Sequence, residues 1–98
     1  MLIYTSGTTG RSKGVALSLD ALTANVGATT TLWRWSPSDH LVLSLPLFHV
    51  HGLGLGILGT LFHRMQATIL PRFDASQVVS ALGAGGSIFM GVPTMYAR

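Results

Sequence analysis

The stretch Tyr4-Thr5-Ser6-Gly7-Thr8-Thr9-Gly10-Arg11-Ser12-Lys13 holds the residue types that grip an anion. Five small residues in a row after Thr5 leave backbone N–H groups uncovered. Thr5, Ser6, Thr8 and Thr9 add hydroxyl donors, and Lys13, the only lysine of the chain, adds a mobile positive charge. Backbone N–H groups in a tight turn make an anion-binding concavity. Glycine lets the backbone take positive φ and approach a ligand closely. Together these residues describe a cradle for a polyphosphate, with Thr8 and Thr9 in its middle as the expected closest ligands.

The order of residues sets this loop apart from two common phosphate loops. A Walker loop puts glycine directly before its lysine and Ser or Thr after it. Here Ser12 precedes Lys13 and Gly14 follows it. The loop also lacks the dinucleotide pattern G-x-G-x-x-G. Its flanks, residues 2–5 and 14–18, read as buried strands. The loop thus joins two strands, and no helix dipole is needed. The plain alternative is an ordinary Gly/Thr turn, its hydroxyls spent on local side-chain to backbone bonds and its lysine solvated.

A second stretch, Leu45-Pro46-Leu47-Phe48-His49-Val50-His51-Gly52-Leu53, sets two imidazoles two residues apart in an apolar run. Taken alone, each reads as a hydrogen-bonded core histidine. A zinc site needs three or four ligands, and the chain has no Cys, no Glu and only Asp20, Asp39 and Asp74 as acids. Trp33 and Trp35 flank Arg34 and read as helix-end packing. Ser, His and Asp are all present, but no spacing suggests a catalytic triad.

Tyr-Thr-Ser-Gly-Thr-Thr-Gly-x-x-Lys-Gly-Val resembles the signature loop of the acyl-adenylate-forming superfamily, which includes acyl-CoA synthetases and the adenylation domains of peptide synthetases. Residues 45–53 resemble its next motif, beside the acyl pocket. Gly91-Val92-Pro93-Thr94-Met95-Tyr96 resembles the segment after that. The three come in family order and together span nearly the whole chain. Ser12 stands where proline is usual, a departure shared with malonyl-CoA synthetase-like members. The resemblance implies that Thr5, Ser6, Gly7, Thr8, Thr9, Gly10 and Lys13 hold the β- and γ-phosphates of ATP. It implies Mg²⁺ bound through those phosphates, and CoA as co-substrate. It gives His49 and Lys13 catalytic roles, His49 orienting or shielding the reacting carboxylate. His51, where many relatives carry an apolar or aromatic residue, is expected with His49 at the acyl substrate, where it could recognise a polar acyl end. The implied partner is a small carboxylic acid of malonate type, the alternative being a medium or long fatty acid.

Composition fits a slice of a larger protein. Charged residues make up 9% of the 98 positions and hydrophobic residues 48%, against about 25% charged in ordinary proteins. Such a chain cannot cover its own surface with charge. The resemblance implies an internal piece of a large N-terminal domain, residues 1–98 forming a partial AMP-binding (adenylation) domain and the remainder of the enzyme covering the apolar surface. The family's adenine-contacting segment with its metal-binding Glu, its ribose-binding Asp, its hinge and its C-terminal lysine are not in the sequence. The piece is therefore expected to be inactive alone. Two other classes compete: a free-standing phosphate- or nucleotide-binding module, and a small structural or membrane-associated protein.

The net charge of +3 is scattered over the sequence, so no basic face for nucleic acid is expected. Residues 41–62 are apolar, but Pro46, His49 and His51 interrupt them, and the clean run from 52 to 62 is about half of the ~20 residues a membrane helix needs. The start lacks the basic opening of a signal peptide. Absence of cysteine is compatible with a reducing compartment, and a cytoplasmic location is expected.

The elements that must position these residues alternate. Strands are predicted over 2–5 and 14–18. A helix over 19–35 follows, capped by Ser18, with Leu22, Val26 and Leu32 facing inward. After a turn at 36–39 come a strand over 40–45, a helix over 51–63 and a strand over 66–70. Asp74 caps a helix over 75–83, a strand covers 87–90, and Pro93 opens a closing helix. Strands alternating with helices define an α/β layered fold.

Overall fold

Leu41, Val42 and Leu43 expose none of their surface, which requires cover on both faces of the strand that carries them. In the computed structural model, which describes residues 1–97, that strand is the centre of a parallel sheet. The chain runs β1 (Leu2–Thr5), β2 (Lys13–Ala16), α1 (Leu19–Leu32) and β3 (His40–Leu43). A π-helix (His51–Leu58) then runs straight into α2 (Gly59–His63). β4 (Gln66–Ile69), α3 (Ala75–Gly83), β5 (Ile88–Met90) and α4 (Pro93–Tyr96) complete it. The α/β class expected from sequence is the class observed.

The sheet order is β4-β3-β5, with β3 parallel to both neighbours. Leu41 and Leu43 face one way, into a cluster with Trp35, Leu45 and Met90 against which Leu55 and Ile57 of the π-helix pack. Val42 faces the other way, its Cγ2 against Gly86 in the turn after α3. Side chains alternate across a strand, so the π-helix and the α3 connection cover opposite faces. Burial on both faces is the reason for an unbroken apolar run in β3.

β1 and β2 form a separate antiparallel hairpin. Ile3 is its one core residue and every residue of β2 is exposed, so these are not the buried strands expected from sequence. The molecule is drawn out, 42 × 30 × 20 Å, with a radius of gyration of 14.4 Å, against about 13 Å for a compact domain near 100 residues.

The helix caps expected from sequence are present. Ser18 Oγ accepts from Ala21 N–H at 3.1 Å, Asp74 Oδ1 accepts from Gln77 N–H at 3.0 Å, and Pro93 opens α4. Three expectations need correction. The first helix stops at Leu32 rather than at 35, because Arg34 turns left-handed at φ 59°. Trp35 N–H then reaches Thr30 O and Arg34 N–H reaches Thr31 O, a Schellman closure. The inward stripe is Leu22, Val26 and Thr30, while Leu32 is 79% exposed; steps of four stay on one face and a step of six does not. Thr30 Oγ1 donates to Val26 O, so His63 Nε2–H donates to Thr30 Oγ1 and ties α2 to α1. Finally, the expected helix over 51–63 is π-helical for its first eight residues. Strand ends differ from expectation by one or two residues, and β2 begins one residue earlier, at Lys13.

Candidate functional site

The hairpin register pairs Thr5 with Lys13. Directly opposed residues sit on one face with Cβ atoms about 4.5–5.5 Å apart. The hydroxyl and the lysine therefore stand side by side at the neck of the loop. Above them Gly7 has φ 56° and Gly10 has φ 81°, values in the left-handed region that favours glycine. A Cβ on Gly7 would also lie 2.9 Å from Arg11 O. Residues 5–13 are all exposed. None of the side-chain hydrogen bonds among the described residues uses the hydroxyls of Thr5, Ser6, Thr8 or Thr9. These donors are thus free for a ligand, and the loop opens outward.

The carboxyl ends of the parallel strands carry the other candidates. After β3, Ser44 and Leu45 are buried and residues 46–50 are exposed. His49 N–H donates to Pro46 O at 3.3 Å, His49 O accepts from Leu53 N–H at 3.0 Å, and its ring lies 4.5 Å from that of Phe48. His51 opens the π-helix and is half-buried. Gly52 packs tightly behind it, since a Cβ there would collide with Pro46 O.

Two cavities flank this segment. One, of about 320 Å³, is lined by His51, Trp33, Trp35, Met90, Gly91 and Tyr96 among others. It joins the second and third sequence motifs at one place. The tryptophans, expected only to pack at a helix end, form part of its wall. The other, of about 510 Å³, lies between the segments that follow β3 and β4, with Ser44, Phe48, Arg72 and Phe73 in its lining. His49 lines neither, and no residue of the 5–13 hairpin loop lines either. Ser44 Oγ is buried with no hydrogen-bond partner, a situation that costs about 1–3 kcal/mol when nothing fills it. Sequence reasoning missed Ser44 and Arg72, which carry no local pattern.

The opposite, amino end of the sheet is stitched together by side-chain bonds. Ser87 Oγ donates to Asp39 Oδ1 at 2.8 Å, and Ser36 N–H and Oγ donate to Oδ2 at 2.9 and 3.1 Å. The Ser87 bond, and then the Ser36 amide, hold the Asp39 carboxyl below its ordinary value of 3.8 against a smaller opposing effect of desolvation. His40 Nε2 and Thr68 Oγ1 meet at 2.7 Å. Among the described residues, no group of three or more His, Cys, Asp or Glu is placed to hold a metal, and no helix is long and apolar enough to cross a membrane.

The architecture is a parallel α/β sheet with cavities beside the carboxyl ends of its strands, joined to an outward hydroxyl- and glycine-rich loop. The chain belongs to the AMP-binding enzyme family, whose profile matches residues 1–98. It is 39% identical over 102 residues to the mitochondrial malonate–CoA ligase of Bos taurus, covering 100% of this chain and 17% of that protein. A malonyl-CoA ligase solved with methylmalonyl-CoA and AMP superposes with a TM-score of 0.95 at 45% identity, over 99% of this chain and 21% of that one. ATP-bound MatB from Rhodopseudomonas palustris gives 0.91 at 45% identity, over 99% of this chain and 19% of that one. The chain therefore spans about a fifth of the length of the proteins it matches.

Proposed function

We propose that residues 1–98, as part of an adenylation domain, supply the pyrophosphate grip and part of the acyl-pocket wall of an AMP-forming carboxylate–CoA ligase. One observation carries the reading: Thr5 and Lys13 are opposed beneath a loop whose hydroxyls are unspent and whose glycines hold left-handed φ. ATP and CoA are the proposed co-substrates. The acid's carboxylate oxygen attacks the α-phosphorus, the bond to the β-phosphate breaks, and acyl-adenylate and pyrophosphate form. The CoA sulfur then attacks the acyl carbon and AMP leaves.

The chain's own part is positioning and electrostatics. The amides of Gly7 and Gly10, the hydroxyls of Thr5, Ser6, Thr8 and Thr9, and the Lys13 ammonium hold the departing pyrophosphate and offset its charge. Mg²⁺, when bound through phosphate oxygens, supplies further neutralisation. His49 orients or shields the reacting carboxylate, and His51 faces the acyl end. A malonate-type acid is the proposed substrate, since two of the relatives are named a malonate–CoA ligase and a malonyl-CoA ligase; medium and long fatty acids are the competing class. The rest of the ligase is the proposed cover for exposed Leu19, Leu32, Leu61, Phe62 and Val79. A cytoplasmic site of action belongs to the same proposal, and cell fractionation separates it from the mitochondrial location of the bovine relative.

The test is malonate-dependent pyrophosphate release by the intact ligase carrying Lys13→Ala. Loss of one preorganised charge donor lowers kcat by about 10²–10³ with the fold unchanged by circular dichroism. Undiminished turnover would remove the loop from the chemistry.

A further inference from the structure

We infer that Trp33 limits the length of acid the ligase takes, because it walls the cavity at the end remote from His51. The inference rests on the ligase reading above and names a determinant of its substrate class.

The cavity of about 320 Å³ is a trough laid along β5. Ile88, Phe89, Met90 and Gly91 line it in succession. A strand advances about 3.3 Å per residue, so that wall is about 10 Å long. His51, Gly91 and Tyr96 follow the carboxyl ends of β3 and β5, whereas Trp33 and Trp35 precede the amino end of β3. β3 and β5 are parallel, so the two sets of residues mark opposite ends of the trough.

A dry cavity of about 150 Å³ already admits benzene. The trough is larger than that, and a malonate-sized acid seated at His51 leaves part of it empty. Its lining, among the described residues, holds no Lys, Arg, Asp or Glu. The space behind the acyl end therefore suits hydrocarbon, and acid length is decided where that hydrocarbon meets the far wall.

The far wall is held by its backbone. Trp33 N–H donates to Thr29 O at 3.0 Å and Trp35 N–H to Thr30 O at 2.9 Å, on either side of the left-handed Arg34. The two indole rings lie 5.8 Å apart, tilted by 41°. They have different tasks. Trp35 is buried in the core with Leu41 and Leu43, and a Cβ on Gly59 would come within 2.8 Å of its ring. Trp33 is 47% exposed and takes no place in that core cluster. Its ring bounds the trough, and cutting it back lengthens the trough without opening the core.

The test is pyrophosphate release by the intact ligase with straight-chain monocarboxylates from propionate to decanoate. Wild type is compared with Trp33→Ala, Trp33→Phe and Leu32→Ala. Wild-type kcat/KM is expected to fall beyond a certain chain length. Trp33→Ala is expected to move that fall to acids longer by about two carbons, and to raise kcat/KM for the first excluded acid by about tenfold, since each methylene newly buried is worth about fourfold. Trp33→Phe is expected to do the same by less, and it carries the test if Trp33→Ala fails to fold. Leu32 is exposed and lies outside the cavity, so Leu32→Ala is expected to keep the wild-type profile. An unchanged length profile in the Trp33 variants, or an equal shift in Leu32→Ala, overturns the inference.

Absence of pyrophosphate release with every acid refutes the ligase reading instead. Titration with ¹³C-octanoate, followed by NMR, then judges the trough by itself. Binding about tenfold tighter in Trp33→Ala than in wild type supports Trp33 as the wall, and equal affinity overturns it.

Discussion

His51 is the residue through which sequence and structure meet most directly. Its position in the motif pointed to the acyl end, and the fold sets it in a cavity with Gly91 and Tyr96 from the third motif. His51→Phe in the intact ligase is expected to cut the preference for malonate over propionate by about tenfold, measured as a ratio of kcat/KM. An unchanged ratio would move substrate choice elsewhere. Asp39 carries a different prediction. Its carboxyl is held below 3.8 by the Ser87 and Ser36 donors, so folding favours the ionised form. That stability is complete above the unfolded value and is lost as pH falls through the lower folded value. Asp39→Asn is expected to flatten the acid limb of a stability–pH curve below about pH 4, with Asp74, also lowered by its Ser76 and Gln77 bonds, supplying the remaining slope. Lys13 and the loop hydroxyls could be read from one contiguous string. Ser44 and Arg72 could not, because they line one cavity only when segments following two different strands come together.

At the scale of elements, residues with a purely local effect were legible. Ser18, Asp74 and Pro93 announce helix starts through groups that bond within one turn, and each does so in the structure. Helix ends were harder, since both α1 and α2 stop on an arginine in the left-handed region, Arg34 at φ 59° and Arg64 at φ 55°, where sequence reading looks for glycine. Arg64→Gly is therefore expected to stabilise the fold by about 0.5–1 kcal/mol, the relief of left-handed strain less the added freedom of the unfolded chain; thermal unfolding measures it. The π-helix was also hidden, because spacing of apolar residues reports a helix but not its hydrogen-bond step. Its geometry depends on Gly52 lying against Pro46 O. Gly52→Ala is expected to cost about 1–3 kcal/mol through forced backbone movement, and to shift His51 with it.

For the whole molecule, two parts of unequal firmness share one chain. β3 is covered on both faces, whereas the β1–β2 hairpin contributes only Ile3 to the core, and a lone two-stranded hairpin is marginal in water. Hydrogen exchange on the isolated chain is expected to be fast at residues 2–16 and slow at 41–43; protection of equal depth in both would mean that the hairpin needs no further support. The alternation of strands and helices disclosed the layers, while the detachment of the hairpin from the main sheet was not visible in any local pattern. The seam at Asp39, Ser87, His40 and Thr68 fastens the starts of β3 and β5 and ties His40 to the middle of β4, leaving the far ends to carry cavities and histidines. Fastening and chemistry thus use different amino acids. Residues 46–50, 71 and 72 are exposed, so exchanging them between relatives is expected to leave the scaffold standing, whereas Leu45 and Met95 belong to the core packing and have to stay.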